Sequence, residues 1–237
     1  MPKYIPSIPF EDCYGSVGDV TFFHRGGQCY YKDRQHPSFP GTAAQLEQKD
    51  IQLRAIAAWQ SLVSSVQKEW DRCAVGVQSH RPPFDGKSGI SGYNLFVSAY
   101  HGFVRLGNEH IPEPAPWEPF PVQALSGVSA LSAASGTLRL GFQVYVADPV
   151  EAGRYRPLFR IQLAKPGGGR DVGQMRTFLA ENSVGAGENV VAVEVDDYAS
   201  RWGLDLQAYT VHARVNLIDA RTGYRNNYIQ LKLPLQL

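Results

Sequence analysis

The sequence is poor in cysteine and in long apolar runs, and each shortage excludes a class of protein. Its three cysteines, Cys13, Cys29 and Cys73, cannot all pair and show no C-x-x-C spacing, so we expect neither a disulfide framework nor a zinc ribbon. A single Cys13–Cys29 bridge stays open. No stretch approaches the roughly 18–20 apolar residues of a membrane span, and residues 1–6 lack the apolar core of a classical signal peptide. We therefore expect a soluble protein without membrane insertion, which could belong to an extracellular or viral assembly.

An excess of charge of either sign is also absent. The 237 residues include 23 Lys and Arg against 22 Asp and Glu, which gives a net charge of +1. A near-neutral protein has no overall electrostatic attraction for a duplex or an anionic membrane, so nucleic acid is not an expected partner. Hydrophobic residues make up 43% of the chain, which is enough for a core and argues against intrinsic disorder.

The sequence contains parts of several catalytic and cofactor-binding motifs, and each of these motifs is incomplete. Gly86–Ser88 has the end of a phosphate-binding loop, but Arg81 stands where that motif needs its first glycine. Gly167–Gly169 is not followed by a helix pattern and indicates a flexible loop. The six histidines lack helical metal-ligand spacing, and His212 alternates with the apolar side chains of its strand, so we expect it to be solvated. The acidic residues 194, 196 and 197 fit a turn better than a calcium site.

These observations predict no catalytic, cofactor-binding or metal-binding residues. A Ser-His-Asp triad stays open, because its members can converge from any order along the chain, although no Gly-x-Ser-x-Gly elbow occurs.

Residues 19–33 predict a β-hairpin. Two β-prone runs flank Gly26-Gly27, and a two-residue turn of this kind needs the positive φ that glycine allows. Successive side chains of a strand point to opposite faces, so both faces of the hairpin are expected to be aromatic. An isolated hairpin is marginal in water and must pack on another chain or on its own. The expected interaction residues here are Phe22, Phe23, Tyr30 and Tyr31.

Apolar residues then recur at helical spacing up to residue 78. Two capping-box patterns, Thr42–Gln45 and Ser64–Gln67, favour two helices at about 43–62 and 65–78, folded as a helical hairpin. A single kinked helix is the alternative.

A third helix is expected from Ser91 to near Gly107, and its aromatic stripe would cover the helical hairpin. Trp59 and Trp70 lie at the apolar stripes of the first two helices, so we expect both to be structural.

Residues 111–121 contain five prolines and predict an extended, semi-rigid linker. Beyond it the apolar period changes to two, which indicates strands. The expected domains are therefore a hairpin and helical region at 1–110, the linker at 111–121 and a β domain at 122–237. The strands are expected at 122–131, 138–146, 158–164, 174–180, 191–195, 209–217 and 229–235.

Seven strands in a little over 100 residues are typical of an antiparallel, immunoglobulin-like sandwich. Without a cysteine pair, the fibronectin-like variety fits better. The fold class is thus mainly β with a helical N-terminal part, and a helical turn is expected within residues 197–203.

The first hundred residues resemble an uncharacterised domain family of Bacteroidota. The resemblance is carried by a Gly-x-Val-Gly start at Gly15–Gly18, a helix entry at Pro40–Gln48, and the Ser-Gly-Tyr-Asn-Leu-Phe segment at Ser91–Phe96. Trp59 and Trp70 match a tryptophan pair found in some of these proteins. The resemblance implies the same architecture, including a β-sandwich tail. It implies no activity and no functional residue.

The leading functional hypothesis is a non-catalytic structural or assembly subunit that self-associates, as a cell-surface, appendage or phage-particle component. A hairpin too small to stand alone, a stiff spacer and open sandwich edges that invite strand addition support it. The alternative is a glycan- or protein-binding module that uses the sandwich loops. An enzyme is not expected. Aromatic rings near those loops are the expected contacts, and they are Tyr198 and Trp202.

Overall fold

Most of the regular structure is antiparallel β-sheet. The computed structural model describes residues 15–25, 28–34, 41–77, 89–134, 137–147, 149–171, 175–202, 206 and 208–235. The strands within them are β1 (Gly15–Val17), β2 (Val20–Arg25), β3 (Gln28–Asp33), β4 (Gln123–Ala134), β5 (Thr137–Val146), β6 (Tyr155–Ala164), β7 (Arg176–Leu179), β8 (Gly187–Val195), β9 (Thr210–Asp219) and β10 (Ile229–Pro234). The helices are α1 (Ala43–Ser61), α2 (Ser64–Ala74), α3 (Gly92–Arg105) and α4 (Tyr198–Trp202).

The chain divides into two compact units, Met1–Leu46 and Glu47–Leu237. The division falls within α1 and before the proline-rich segment, which belongs to the larger unit. Independent folding of residues 122–237 stays a prediction.

The smaller unit contains a three-stranded sheet in the order β1-β2-β3. The predicted hairpin is present as β2 and β3. The third strand, β1, was not predicted, because it is three residues long and contains a single large apolar side chain. It pairs Val17 with Val20, and the turn between them begins with Gly18 at a φ of +56°. Glycine adopts that left-handed conformation without strain, which allows so tight a reversal.

The first two helices are separate, as the capping patterns suggested. Val63 between them has extended backbone, with φ −66° and ψ 149°. At the start of α1 the side chain of Gln45 accepts from the amide of Thr42 at 3.2 Å, which is one half of the predicted capping box. The second predicted box is wrong, because Val63 is the N-cap of α2 and Gln67 donates instead to the carbonyl of Trp59, at 3.0 Å.

The seven C-terminal strands form two antiparallel sheets. One has the order β4-β5-β8 and the other the order β10-β9-β6-β7. Each predicted strand is present within a few residues of its expected bounds. The inner faces of the two sheets share one hydrophobic core, in which Phe142 of β5 stacks on Phe159 of β6 with 4.4 Å between ring centroids. Along each strand the buried side chains alternate with outward-facing ones, and their packing between the two sheets stabilises a sandwich.

The helices and the proline-rich segment meet the sandwich at the loop between β9 and β10. Tyr224 in this loop is buried, and its ring lies 6.3 Å from Trp70 of α2 and 5.3 Å from Trp117. Its hydroxyl donates to the carbonyl of Ala115 at 2.6 Å, and burial raises the pKa of that hydroxyl above its usual value. The proline-rich segment is thus packed against both the helices and the sandwich.

Two glycines let backbones touch at this junction. A Cβ on Gly102 of α3 would lie 1.9 Å from the carbonyl oxygen of Gly223, which itself has a φ of +72°. A Cβ on Gly223 would lie 2.2 Å from the carbonyl oxygen of Ala99. Only glycine fits at either position without moving the helix away from the loop.

Replacing Gly102 with alanine is therefore expected to destabilise the protein, by about 1–3 kcal/mol or more, because overpacking outweighs the gain in helix propensity. Chemical denaturation measures the effect. Asn94→Ala, at an exposed position of the same helix, is the control and should change stability by less than about 0.5 kcal/mol. A stabilised Gly102→Ala protein would contradict the close contact.

Candidate interaction surfaces

The hairpin carries aromatic pairs on both faces, as predicted. In its register Phe22 lies opposite Tyr31, and Phe23 lies opposite Tyr30. The first pair is tilted with 6.5 Å between ring centroids, and the second is stacked at 5.7 Å. All four rings are half-buried, so part of each ring remains at the surface. Their role in binding stays a prediction.

The same register places a histidine beside a cysteine. His24 Nε2 lies 2.9 Å from Cys29 Sγ, on the face that carries Phe22 and Tyr31. This pair was not predicted from the sequence, although counting outward from Gly26-Gly27 places the two residues opposite each other. A nucleophilic thiol needs a base within such reach. The pair lies on an exposed strand surface and not in either of the two clefts described below. Cys13, the other half of the suggested bridge, lies outside the described residues.

The two sandwich aromatics expected to bind a partner differ in exposure. Tyr198 is only 5% exposed and packs in the sandwich core, so its ring offers almost no surface to a ligand. Trp202 is half-buried at the end of α4, and its carbonyl accepts from the hydroxyl of Tyr209 at 2.5 Å.

Trp202 and Tyr209 line an open cleft of about 290 Å³ together with the end of β6 and the loop that follows it. Polar groups there include Lys165, Asp171 and the side chain of Gln162, whose oxygen accepts from the amide of Asp171 at 2.8 Å. An aromatic ring beside amide and charged groups can contact a sugar or a peptide.

The outer face of the four-stranded sheet is basic. Arg160 of β6, Arg214 of β9 and Lys232 of β10 lie on this face, and the one acidic residue of its four strands, Asp219, is buried on the other side. Arg160 and Arg214 lie directly opposite each other, and Arg214 covers the exposed ring of Tyr228 at 4.6 Å. Arg170 and Arg214 both donate to the side-chain oxygen of Gln230. This basic face consists of Arg160, Arg170, Arg214 and Lys232.

The outer face of the three-stranded sheet is acidic with an apolar centre. Val190, 66% exposed, lies between Glu188 and Glu194 on β8, and Tyr145 lies opposite Glu188. Arg139 donates to both carboxylate oxygens of its neighbour Glu181, and this bond lowers the pKa of that carboxyl. The acidic face consists of Glu181, Glu188, Glu194 and Asp196. It includes an open cleft of about 370 Å³ lined by Ser132, Thr137, Arg139, Glu181 and Glu194.

Each edge strand has a feature that discourages pairing with another chain. β4 has register shifts at Leu125/Gly127 and at Ala130/Ser132, and β7 is four residues long. β8 carries two glutamates, while β10 carries Lys232 and ends at Pro234. Bulges, short strands, charges and proline are the usual protections of a sheet edge.

A buried ion pair holds the β9–β10 loop to the segment before β6. Asp219 at the end of β9 accepts from Arg154 at 2.7 Å, and their side chains are 5% and 15% exposed. Arg154 also donates to Glu118 of the proline-rich segment, at 2.5 Å. The bond to Asp219 raises the pKa of Arg154 above its ordinary value. This site is structural, because its polar groups are paired with one another.

The expectation that His212 is solvated is wrong. It lies on the outer face of the four-stranded sheet, as alternation requires, yet it is buried instead of solvated. Its neighbour Gln162 accepts from the amide of Asp171, so the loop after β6 folds back over this part of the face. Among the described residues, none bonds to His212 Nε2.

Within the described ranges, His, Cys, Asp and Glu side chains do not gather in groups of three or more that could hold a metal ion. No helix of the described part of the chain is long and apolar enough to cross a membrane.

Comparison with known proteins gives no family. No protein-family model matches the sequence, and no curated protein matches it. A solution structure of a protein from Arabidopsis thaliana is 15% identical, with a TM-score of 0.34 over 52% of this chain and 85% of that one.

Two further structures match more weakly. The alkylpurine DNA glycosylase of Pseudomonas fluorescens bound to abasic-site DNA is 15% identical, with a TM-score of 0.27 over 62% of this chain and 39% of that one. Beta-glucosidase 3B of Thermotoga neapolitana in complex with glucose is 13% identical, with a TM-score of 0.24 over 58% of this chain and 19% of that one. Such likenesses carry no argument about function. The resemblance to the Bacteroidota domains stays a prediction.

Proposed function

We propose that this chain is a non-catalytic structural or assembly subunit that acts by self-association. The observation that carries the proposal is the small sheet of β1, β2 and β3, whose two faces each present an aromatic pair. A three-stranded sheet of this size has little core of its own. Burying two such rings on another chain contributes roughly 3–6 kcal/mol before the costs of association, which is enough to matter for docking.

The larger unit suits a scaffold of the immunoglobulin or fibronectin kind, and we propose that class for it. Its first, second and fifth strands form one sheet, and the sixth strand lies between the third and the seventh in the other. The immunoglobulin fold pairs the same strands, except that its fourth strand joins the first sheet in the constant type. Here β7 pairs with β6 instead.

The sandwich edges do not support the strand addition that open edges would invite. Since every edge strand is bulged, short or charged, we propose that copies meet through side chains of the hairpin and of the sheet faces. A cell-surface, appendage or phage-particle component would use such contacts.

Replacing Phe22 and Tyr31 with serine is expected to weaken self-association of the full chain by about tenfold or more, because one aromatic face is lost. Sedimentation velocity over a concentration series measures the mass of the wild-type chain and of this variant. Leu53→Ser removes an exposed apolar side chain of α1 and is the matched control. A variant that melts at a much lower temperature would instead assign this face to the chain's own core.

The alternative is a glycan- or protein-binding module, and the cleft beside Trp202 favours it as a second candidate. In that case the protein stays monomeric at every concentration until a ligand is added. Binding to a glycan array that is lost in Trp202→Ala, with no change in mass of the free protein, would select this function over self-association.

A further inference from the structure

The basic face holds like charges close together. Arg160 and Arg214 lie directly opposite each other on neighbouring strands, and like charges in that position destabilise a sheet. Within the described residues, no carboxylate forms an ion pair with Arg160, Arg214 or Lys232. Each of these side chains is at least partly exposed. A partner that brings carboxylates to this face would relieve the repulsion.

The acidic face has the layout of a protein-protein contact. Its exposed apolar side chains, Leu131, Tyr145 and Val190, lie among the carboxylates of Glu188, Glu194 and Glu181. Interfaces commonly combine an apolar centre with a charged or polar rim. The basic face has a matching element in Tyr228, an exposed ring stacked on Arg214.

We infer that the basic face of one copy docks on the acidic face of a second copy. This inference rests on the self-association proposed above, and it identifies two surfaces through which the copies would bind each other. Each face repels its own kind, so neither supports a two-fold symmetric pair. Docking of unlike faces leaves one free face of each sign on every dimer, and the contact therefore repeats into a ring or an open stack.

Charge reversal tests the two faces separately. The basic-face variant is Arg160→Glu with Arg214→Glu, and the acidic-face variant is Glu188→Lys with Glu194→Lys. Lys68→Glu with Arg72→Glu, at exposed positions of α2, changes the net charge as much as the basic-face variant does and is its control. Thermal unfolding of each variant shows that the fold is kept. Mass is measured by sedimentation velocity at low and high salt, because screening shortens from about 10 Å at 0.1 M to about 3 Å at 1 M.

The wild-type chain and the α2 control are expected to exceed dimer mass at low salt and to lose mass as salt rises. Each face variant alone should associate at least about tenfold more weakly. An equimolar mixture of the two face variants should regain assembly, because the intact faces of the two partners join and their reversed faces, one now acidic and the other now basic, are complementary as well. Combining all four substitutions in one chain should restore assembly with the charges exchanged.

Three results would overturn this inference in different ways. If both face variants assemble like the wild type, the contact lies elsewhere and self-association itself stands. If the wild-type chain stays monomeric at low salt and at every concentration, the proposed function fails as well. A mixture of face variants that stays monomeric shows that the two faces do not bind each other.

Discussion

Replacing Trp70 with alanine is expected to lower the free energy of unfolding by about 3–5 kcal/mol, the range for truncating a buried aromatic side chain. Trp70 has no exposed surface, and it packs edge-on against Phe96 and Tyr224. Because Tyr224 belongs to the sandwich, the cavity would open at the junction between helices and sheets. Denaturant unfolding followed by circular dichroism measures the loss.

Two variants show whether burial is the cause. Trp59→Ala should lower the free energy of unfolding clearly less. Trp59 is half-buried, and the two rings that it contacts, Tyr93 and Phe96, both belong to α3. Trp70→Phe keeps most of the packing and removes an indole N–H that has no acceptor among the described residues, so its cost should stay below about 1.5 kcal/mol. Equal losses in Trp59→Ala and Trp70→Ala would contradict the different burial of the two rings.

Replacing Asp219 with alanine is expected to lower the free energy of unfolding by about 2–4 kcal/mol, because the largely buried guanidinium of Arg154 then keeps only its bond to the exposed Glu118. The loss has a second cause. Asp219 also accepts from the amide of Arg221 at 2.9 Å, and its backbone bonds to Gly223 and Tyr224. The variant should therefore loosen the loop on which the helices rest.

The exposed pair of Arg221 and Glu151 is the control for this prediction. Its side chains are 59% and 53% exposed, so Arg221→Ala should change stability by no more than about 1 kcal/mol. A double variant, Arg154→Leu with Asp219→Leu, should lose less than the sum of the two single changes, since neither charge is left buried alone. Additive losses would show that the two groups do not depend on each other.

The strands were predictable because each buries the side chains of one face, so that its apolar residues recur with a period of two. β5 alternates Leu138, Leu140, Phe142, Val144 and Val146, all of which are in the core. The same alternation gave both aromatic faces of the hairpin. It identifies the face on which a side chain lies, and it does not tell whether another segment covers that face. His212 shows the difference, because it lies on an outer face and is nevertheless buried.

The junction and the charged faces were not predictable for a different reason. Gly102 and Gly223 look like ordinary glycines until α3 and the β9–β10 loop are in contact. Arg160 and Arg214 become neighbours only when β6 pairs with β9, and that pairing joins strands that are far apart in the sequence. The sequence showed a balanced total charge, while its separation onto two faces depends on which strands share a sheet.

The two loops at the ends of the four-stranded sheet should differ in how much change they accept. The β9–β10 loop contains Gly223 and Tyr224, which seat the helices, so an inserted residue there would separate the two halves of the larger unit. The loop after β6 begins with the exposed residues Lys165, Pro166 and Gly167, which can accept an epitope or a fluorophore. A label at Pro166 would therefore report on the molecule and leave the contact between α3 and the β9–β10 loop intact.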